Sequence, residues 1–281
     1  MNRRHLMQLT TGLAAAGIAA PVKSKTPMRQ APDDTIIPPK SPRAARLIWA
    51  RLVGDLSGQP IFFFTHGTVW GFKPQADNRT VDDFAKRLYG YSGIAARQMQ
   101  RQTDGSIVIR QKYWAFYRDP VTDAITDSIP NPYTNATDKA APMSGPEAMR
   151  PLDMGAGPDG AMPYNMRIRR LGRIATIDTS SFARFKPADT DWYKLEGNLE
   201  DYVCRVADLD NPDATHIPNH YSQNVIAEWQ TWTKMHGTPG HILFKGNGEP
   251  LASLDQVPAD QIAAIERFFP GTLKGVGKWR K

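Results

Sequence analysis

The sequence predicts a mainly β protein in which antiparallel strands close into a barrel, with one short C-terminal helix and a long irregular loop. Three observations carry this. Pro (23 residues) and Gly (22 residues) break the 281-residue chain every few positions, which suits short strands and turns better than long helices. Runs of β-branched and aromatic residues lie between turn signals, as in Ile61–Phe72 and Ser106–Arg118. Gln261–Phe269 is the one convincing helical stretch. About eight to ten successive strands joined by hairpin turns favour closure, which removes exposed edges and encloses a pocket. A two-sheet sandwich is the alternative.

The elements are read in chain order. Asn2-Arg3-Arg4-His5-Leu6-Met7 sets two adjacent arginines before an uncharged, Ala- and Gly-containing stretch from Leu9 to Val22. A charged start, a weak apolar stretch and small residues make up a twin-arginine export signal, assigned to residues 1–20. The expectation is a periplasmic protein handed to the twin-arginine translocase. Stable membrane insertion is not expected, because the apolar stretch is too short to span a bilayer. Residues 21–43 read as a disordered leader rich in Pro, Lys and Asp, and residues 44–281 as a single β-barrel domain.

Within that domain Ala45–Val53 suits a short helix or a first strand, and Asp55–Pro60 a turn. Ile61–Phe72 is a strand in which Gly67 marks a bulge or bend. Val81–Tyr89 reads as a short helix, Ser106–Arg118 as a long strand and Ala124–Ile129 as a short one. Residues 136–160, dense in Pro and Gly, form the long loop, a place where lids and binding loops occur. Further strands are expected at Pro163–Leu171, Arg173–Phe182, Asp201–Asp208, Ser222–Met235 and Gly240–Lys245. Val257-Pro258-Ala259-Asp260 opens the helix and Pro270-Gly271 stops it.

Composition narrows the chemistry. Net charge is +7, with Lys and Arg scattered apart from a cluster at Arg167, Arg169, Arg170 and Arg173 and a basic tail from Lys274 to Lys281. No nucleic-acid motif accompanies them, so a solvated surface is preferred to a nucleic-acid partner. Cys204 is the only cysteine, which leaves no internal disulfide and no thiolate cluster, and its apolar neighbours suit a structural role. His216 and His220 are four apart with Pro218 between them, so they do not share a helical face, and a loop-borne metal site would need a third ligand. No dinucleotide, phosphate-loop, zinc-helix or nucleophile-elbow motif is present, and no metal or cofactor is expected.

The period of two along strands groups the remaining candidates. One face of Ile61–Phe72 carries Phe62, Phe64, His66, Thr68, Trp70 and Phe72. His66 among aromatics suits an acid–base group, or a His bonded to nearby backbone. In Ser106–Arg118 the face with Ile107, Ile109, Gln111, Tyr113, Ala115 and Tyr117 is the more apolar and the better interior, so Tyr113 and Tyr117 point inward to donate to a ligand or to pack. Arg169 shares a face with Arg167 and Leu171. Inside a barrel it must be paired or meet an anion; otherwise it is exposed. Glu228 suits a base or a partner for Arg169, with His220 and Tyr221 just before it and Trp229 and Trp232 as aromatic walls. The expected catalytic set is Tyr113, Arg169, His220, Glu228 and His66, and the expected substrate-binding set is Trp70, Tyr117, Tyr221, Trp229 and Trp232.

Three stretches carry a family resemblance: Tyr117-Arg118-Asp119-Pro120-Val121-Thr122, then Asn131-Pro132-Tyr133-Thr134, then Trp232-Thr233-Lys234-Met235 with Gly237 and Gly240 following. They resemble the domain of unknown function 1838 family of proteobacteria and fungi, over about Trp49 to Leu273. The family has Gly where this chain has Asp123 and Asn135, and both substitutes tolerate turn geometry. The resemblance implies a lipocalin-like, calycin-type barrel and no established activity. An aromatic-rich barrel with few polar groups suits a small apolar aromatic ligand. The expected function is a cofactor-independent lyase-type elimination, for example loss of formaldehyde from a lignin-derived phenolic. A non-catalytic periplasmic binder is the alternative. A hydrolase would need a paired carboxylate or triad that the sequence does not assemble. An oligomer is compatible with the sequence.

Overall fold

Ser41 begins the first long element in the way its sequence dictates. Its Oγ accepts from Ala44 N at 3.1 Å, and Pro42 at the first helical position gives up an N–H that would have no partner there. The computed structural model describes residues 36–37, 39–74, 85–152, 165–185, 194–276 and 279. All of them lie in one unit, Pro32–Lys281. The elements are β1 (Ile36–Ile37), α1 (Pro42–Val53), β2 (Ile61–Phe72), β3 (Ala85–Arg101), β4 (Ile107–Arg118), β5 (Ile125–Thr126), β6 (Ser128–Pro130), β7 (Thr137–Lys139), β8 (Met143–Ser144), β9 (Ala148–Pro151), β10 (Asn165–Leu171), β11 (Ile174–Phe185), β12 (Lys194–Arg205), α2 (Val206–Asp210), β13 (Asn219–Ala227), β14 (His241–Leu251) and α3 (Ala259–Phe268). The expected export leader, residues 1–20, and residues 21–35 after it lie outside the described residues.

The protein is mainly β and antiparallel. One sheet of 12 strands runs β1-β10-β11-β12-β13-β14-β2-β3-β4-β5, with β8 and β9 also paired to β4. β6 and β7 form a separate hairpin. The expected closed barrel is not found: among the described residues no pairing joins β4 to β10, and each of these strands instead takes short strands on its outer edge. The sheet nevertheless curls. Seven interstrand steps separate β10 from β4, roughly 33 Å if flat at the usual spacing. Yet Ile107 and Ile109 of β4 share one apolar cluster with Met166 and Ile168 of β10. That cluster fills one end of the concave face, with Ala50, Leu52 and Val53 of α1 packed into it. Burial of Leu52 alone is worth about 2 kcal/mol. A second cluster, built on Val69, Tyr89, Tyr117, Trp229 and Ile242, fills the other end. A third lies on the convex side, where Ala264 and Ile265 of α3 cover Phe62, Ile94, Trp114 and Phe116.

Several expectations need correction. The helix expected at Val81–Tyr89 is strand from Ala85 onward. Gly90 and Gly93 weaken a helix there, and pairing on both sides, to β2 and β4, holds the strand. The bulge expected at Gly67 lies between Val69 and Trp70. The strand expected at Ser222–Met235 stops at Ala227, and Lys234 has left-handed backbone (φ 56°). The strand at Asp201–Asp208 begins at Lys194 and ends at Arg205, where α2 starts. Part of the long loop, residues 137–151, is β7, β8 and β9, of which β8 and β9 cover the β4 edge. Ile36–Ile37, inside the expected leader, pairs with Arg169 and Ile168.

Candidate functional site

Register assembles the site. Glu200 of β12 lies opposite Gln223 of β13, Gln223 opposite Gly246 of β14, and Gly246 opposite Gly67 of β2. Gly67 in turn lies opposite Tyr91 of β3, and Tyr91 opposite Tyr117 of β4. This row crosses the concave face between the two end clusters. The paired glycines make a trough. A Cβ at Gly246 would overlap Tyr91 Oη, and one at Gly67 would overlap the Tyr91 ring and the Lys245 carbonyl. The ring of Tyr91 therefore lies across β2 and β14, edge-on to Phe244 at 5.3 Å between centroids.

Glu200 is the polar centre of one side. Its carboxylate accepts from Tyr202 Oη at 2.7 Å, Asn198 Nδ2 at 3.0 Å and Tyr221 Oη at 3.1 Å. Tyr221 is pushed well above the usual tyrosine range by burial and by the charge of Glu200, with Arg97 pulling the other way. It therefore stays a neutral donor. Facing this group, Arg97 of β3 stacks over Phe63 at 5.2 Å and gives Nε to Gln111 Oε1 at 3.3 Å. Phe63 meets Tyr221 edge-on at 5.0 Å. Gln111, Arg97, Phe63, Tyr221 and Glu200 thus form an arc from β4, β3, β2, β13 and β12, with Gly248 and Pro250 of β14 in the ladder between Phe63 and Tyr221. Tyr89 Oη and Tyr91 Oη are buried and have no hydrogen-bond partner. Burial raises both phenols, Tyr89 well above its usual range. Further along β12, burial also pushes the Glu196 carboxyl up, against the opposing pull of Lys194.

The residues expected from sequence do not converge on one place. Tyr113, Tyr117 and Tyr221 face the concave side. Tyr113 is 39 % exposed, with its ring against Gly145. Trp232 caps the far cluster by giving Nε1 to Tyr117 Oη at 3.1 Å, and buried Trp229 gives Nε1 to the Thr238 carbonyl at 2.9 Å. Arg169 alternates with the buried Met166 and Ile168 and so points to the convex side, as do Trp70 and the exposed His220. Glu228 follows β13, and its charge acts on Lys194. His66 is convex too, and its Nε2 lies 3.1 Å from Asp123 Oδ2. Asp123 belongs to a network under α3. Arg118 gives Nε to Ser92 at 2.8 Å, Nη1 to the Asp123 carbonyl at 2.7 Å and Nη2 to Asp260 at 2.6 Å, while Gln261 Nε2 also donates to Ser92.

A groove of about 480 Å³ near the α1 end collects Cys204, Asp208, His216, His220 and Glu249. No group of three or more metal-type ligands occurs among the described residues. Burial pushes the Cys204 thiol up to about 11, which keeps it protonated and unreactive.

The three motif stretches explain themselves as backbone geometry. Asp123, Asn135 and Lys234 are the non-glycine residues with left-handed φ among the described residues, at 60°, 56° and 56°. Each lies in or just after one of these stretches, and Asp and Asn are among the non-glycine residues that tolerate this conformation. Asp119 Oδ1 accepts from the N–H groups of Val121 and Thr122, and Asn131 Oδ1 from that of Tyr133. The stretches also meet. Trp232 bonds Tyr117, and Asn131 Nδ2 lies 3.5 Å from Met235 Sδ. Together they build the cluster that closes the far end of the concave face. No curated protein matches the chain. The family model described as protein of unknown function matches residues 153–273, which include the third stretch and the strands bearing Glu200 and Tyr221. That model is DUF1838, the family that the three motif stretches resemble.

Proposed function

We propose that the concave face binds a small aromatic molecule and that Glu200 acts on it as a general base in a lyase-type elimination. The observation that carries this reading is the fixed carboxylate of Glu200, held by Tyr202, Tyr221 and Asn198 and facing Arg97 across the sheet. Fixed donors on both sides of an acid–base group are what an elimination with a developing oxyanion needs. The curl of the sheet supports a finer reading of the fold as an incomplete calycin-type barrel. The twin arginines support export to the periplasm.

One balanced version acts on an aryl ether bearing a neighbouring primary alcohol. The hydroxyl proton passes to Glu200, and the adjacent C–C bond breaks to release formaldehyde. Its electron pair forms a C=C bond as the aryl ether C–O bond breaks. The phenolate that leaves takes up one proton. No redox partner or cofactor enters the balance. Formaldehyde release from a panel of such ethers tests the reading. Glu200→Gln is expected to lower kcat at least about 100-fold while ligand still binds. A second reading, a carrier, is favoured by the apolar clusters at both ends of the site. Tight binding with no turnover of any panel member, in the parent as in Glu200→Gln, establishes the carrier instead.

A further inference from the structure

We propose that the groove between the chain leaving α1 and the end of β14 is a second ligand site, in which Asp55 and His216 hold the protonated head of a primary amine with an apolar body. Two hydrogen bonds set these residues side by side. His216 Nδ1 lies 2.9 Å from the Gly54 carbonyl, and Leu56 N donates to the Thr215 carbonyl at 2.9 Å. Asp55 sits between the two bonds, and both residues line one groove of about 590 Å³. A carbonyl only accepts, so Nδ1 carries the proton and the neutral ring keeps its lone pair on Nε2. That nitrogen is not enclosed and has no hydrogen-bond partner among the described residues. Asp55 Oδ1 accepts from Ser57 N at 2.7 Å, which fixes the carboxylate. Partial burial opposes its charge, but the bonds from Ser57 and Thr215 outweigh it and hold the carboxyl below the ordinary range.

Charge and walls select the ligand. The chain carries +7 overall, yet among the described residues no Lys or Arg lines this groove, and Asp55 is its one carboxylate. His216 and Pro250 also line the neighbouring groove, which adds the exposed Glu249. The one Lys or Arg among the described residues of that groove, Arg205, is spent on both oxygens of Asp208. A cation is therefore favoured and an anion repelled. Two acceptors side by side suit N–H donors, hence a primary ammonium. They are too few for a metal ion, and no group of three metal-type ligands occurs among the described residues. Phe62 of β2 and Leu251 of β14, opposite one another in the ladder, form the apolar wall with Leu254 and Val276, and the body of the amine lies there.

Isothermal titration of the purified full chain with 4-phenylbutylamine, 4-phenylbutan-1-ol and 4-phenylbutyrate tests the site. The three share the apolar body and differ in the charge of the head. The amine is expected to bind at least about 10-fold tighter than the alcohol, and the acid not to saturate. Asp55→Asn keeps an acceptor for Ser57 N and is expected to remove the preference for amine over alcohol. His216→Asn keeps a donor for the Gly54 carbonyl but loses Nε2, and is expected to weaken the amine about 5-fold. Ala252→Lys sets a cation on an exposed position of the groove lining and is expected to weaken the amine about 3-fold with the melting temperature unchanged, which decides the matter where Asp55→Asn lowers it. Glu200→Gln is expected to bind the amine as the parent does. Equal binding of amine and alcohol overturns the proposal. So does a preference that survives Asp55→Asn, an amine affinity untouched by His216→Asn or Ala252→Lys, tighter binding of the acid, loss of amine binding in Glu200→Gln, or no saturable binding of the amine.

Discussion

Arg118 and Arg97, on opposite faces of the central strands, are treated in opposite ways. On the convex side Arg118, only 7 % exposed, spends all three kinds of guanidinium nitrogen on Ser92, Asp123 and Asp260, and α3 is fastened to the sheet through it. Among the described members of that network only Gln261 Oε1 is buried without a partner. On the concave side Arg97 spends one nitrogen, and the phenols Tyr89 and Tyr91 spend none. A satisfied network holds layers together. An unsatisfied one, kept in place by stacking and glycine troughs, costs stability.

The comparison is sharpest when both arginines are cut. Arg118→Met takes the ion pair from Asp260 and one donor each from Ser92 and Asp123, and is expected to cost about 3 kcal/mol in chemical denaturation. Arg97→Met leaves only Gln111 short and is expected to cost less than about 1 kcal/mol. Equal losses would break the distinction between the two arginines. Gly246→Ala tests the trough. Its Cβ displaces Tyr91 and meets the His66 carbonyl, so a loss of about 2 kcal/mol is expected, together with loss of ligand binding. Retained binding would show that the placement of Tyr91 is incidental. The smallest effect concerns Glu196. Burial holds its carboxyl above the ordinary range, so the folded state favours the proton. That contribution is full at pH below the ordinary Glu value and is lost as pH rises through the raised one. Glu196→Gln, neutral throughout, is therefore expected to gain stability relative to the parent as pH rises above the ordinary Glu value and through the raised one, as read by thermal melts.

The strands with ordinary alternation were legible. Ile61–Phe72 and Ser106–Arg118 stand out as aromatic, β-branched runs, but both faces of the second are covered, Ile107, Ile109 and Tyr117 on the face expected inside and Trp114 and Phe116 on the other, under α3. The site was mostly not legible, for a physical reason. In β12 the apolar residues Leu195 and Val203 point outward, 57 % and 38 % exposed, while Glu196, Asn198 and Glu200 point in. A rule that sends apolar residues to the core inverts such a strand. Arg97 and Tyr91 were missed because β3 was not read as a strand: two glycines and an extra residue at the bulge interrupt its period. The alternation of Tyr89, Tyr91, Gly93 and Ala95 was the available signal. Tyr221 was read as lying just before a strand, and the structure sets it within β13, bonded to Glu200. His66 and Arg169 drew notice as polar residues among apolar neighbours, and each lies on the face away from the site.

The pairing of β14 with β2 joins residues 241–251 to residues 62–72, the first long strand to the last. Among the described residues it is the sole ladder between the half that carries Arg97 and the half that carries Glu200. Each half is a local meander that can zip early, whereas this seam must close a loop of most of the chain and so forms late. Maturation of the binding face and completion of the fold are then one event. A chain caught before the seam closes exposes unpaired edges on β2 and β14 and has no site at all.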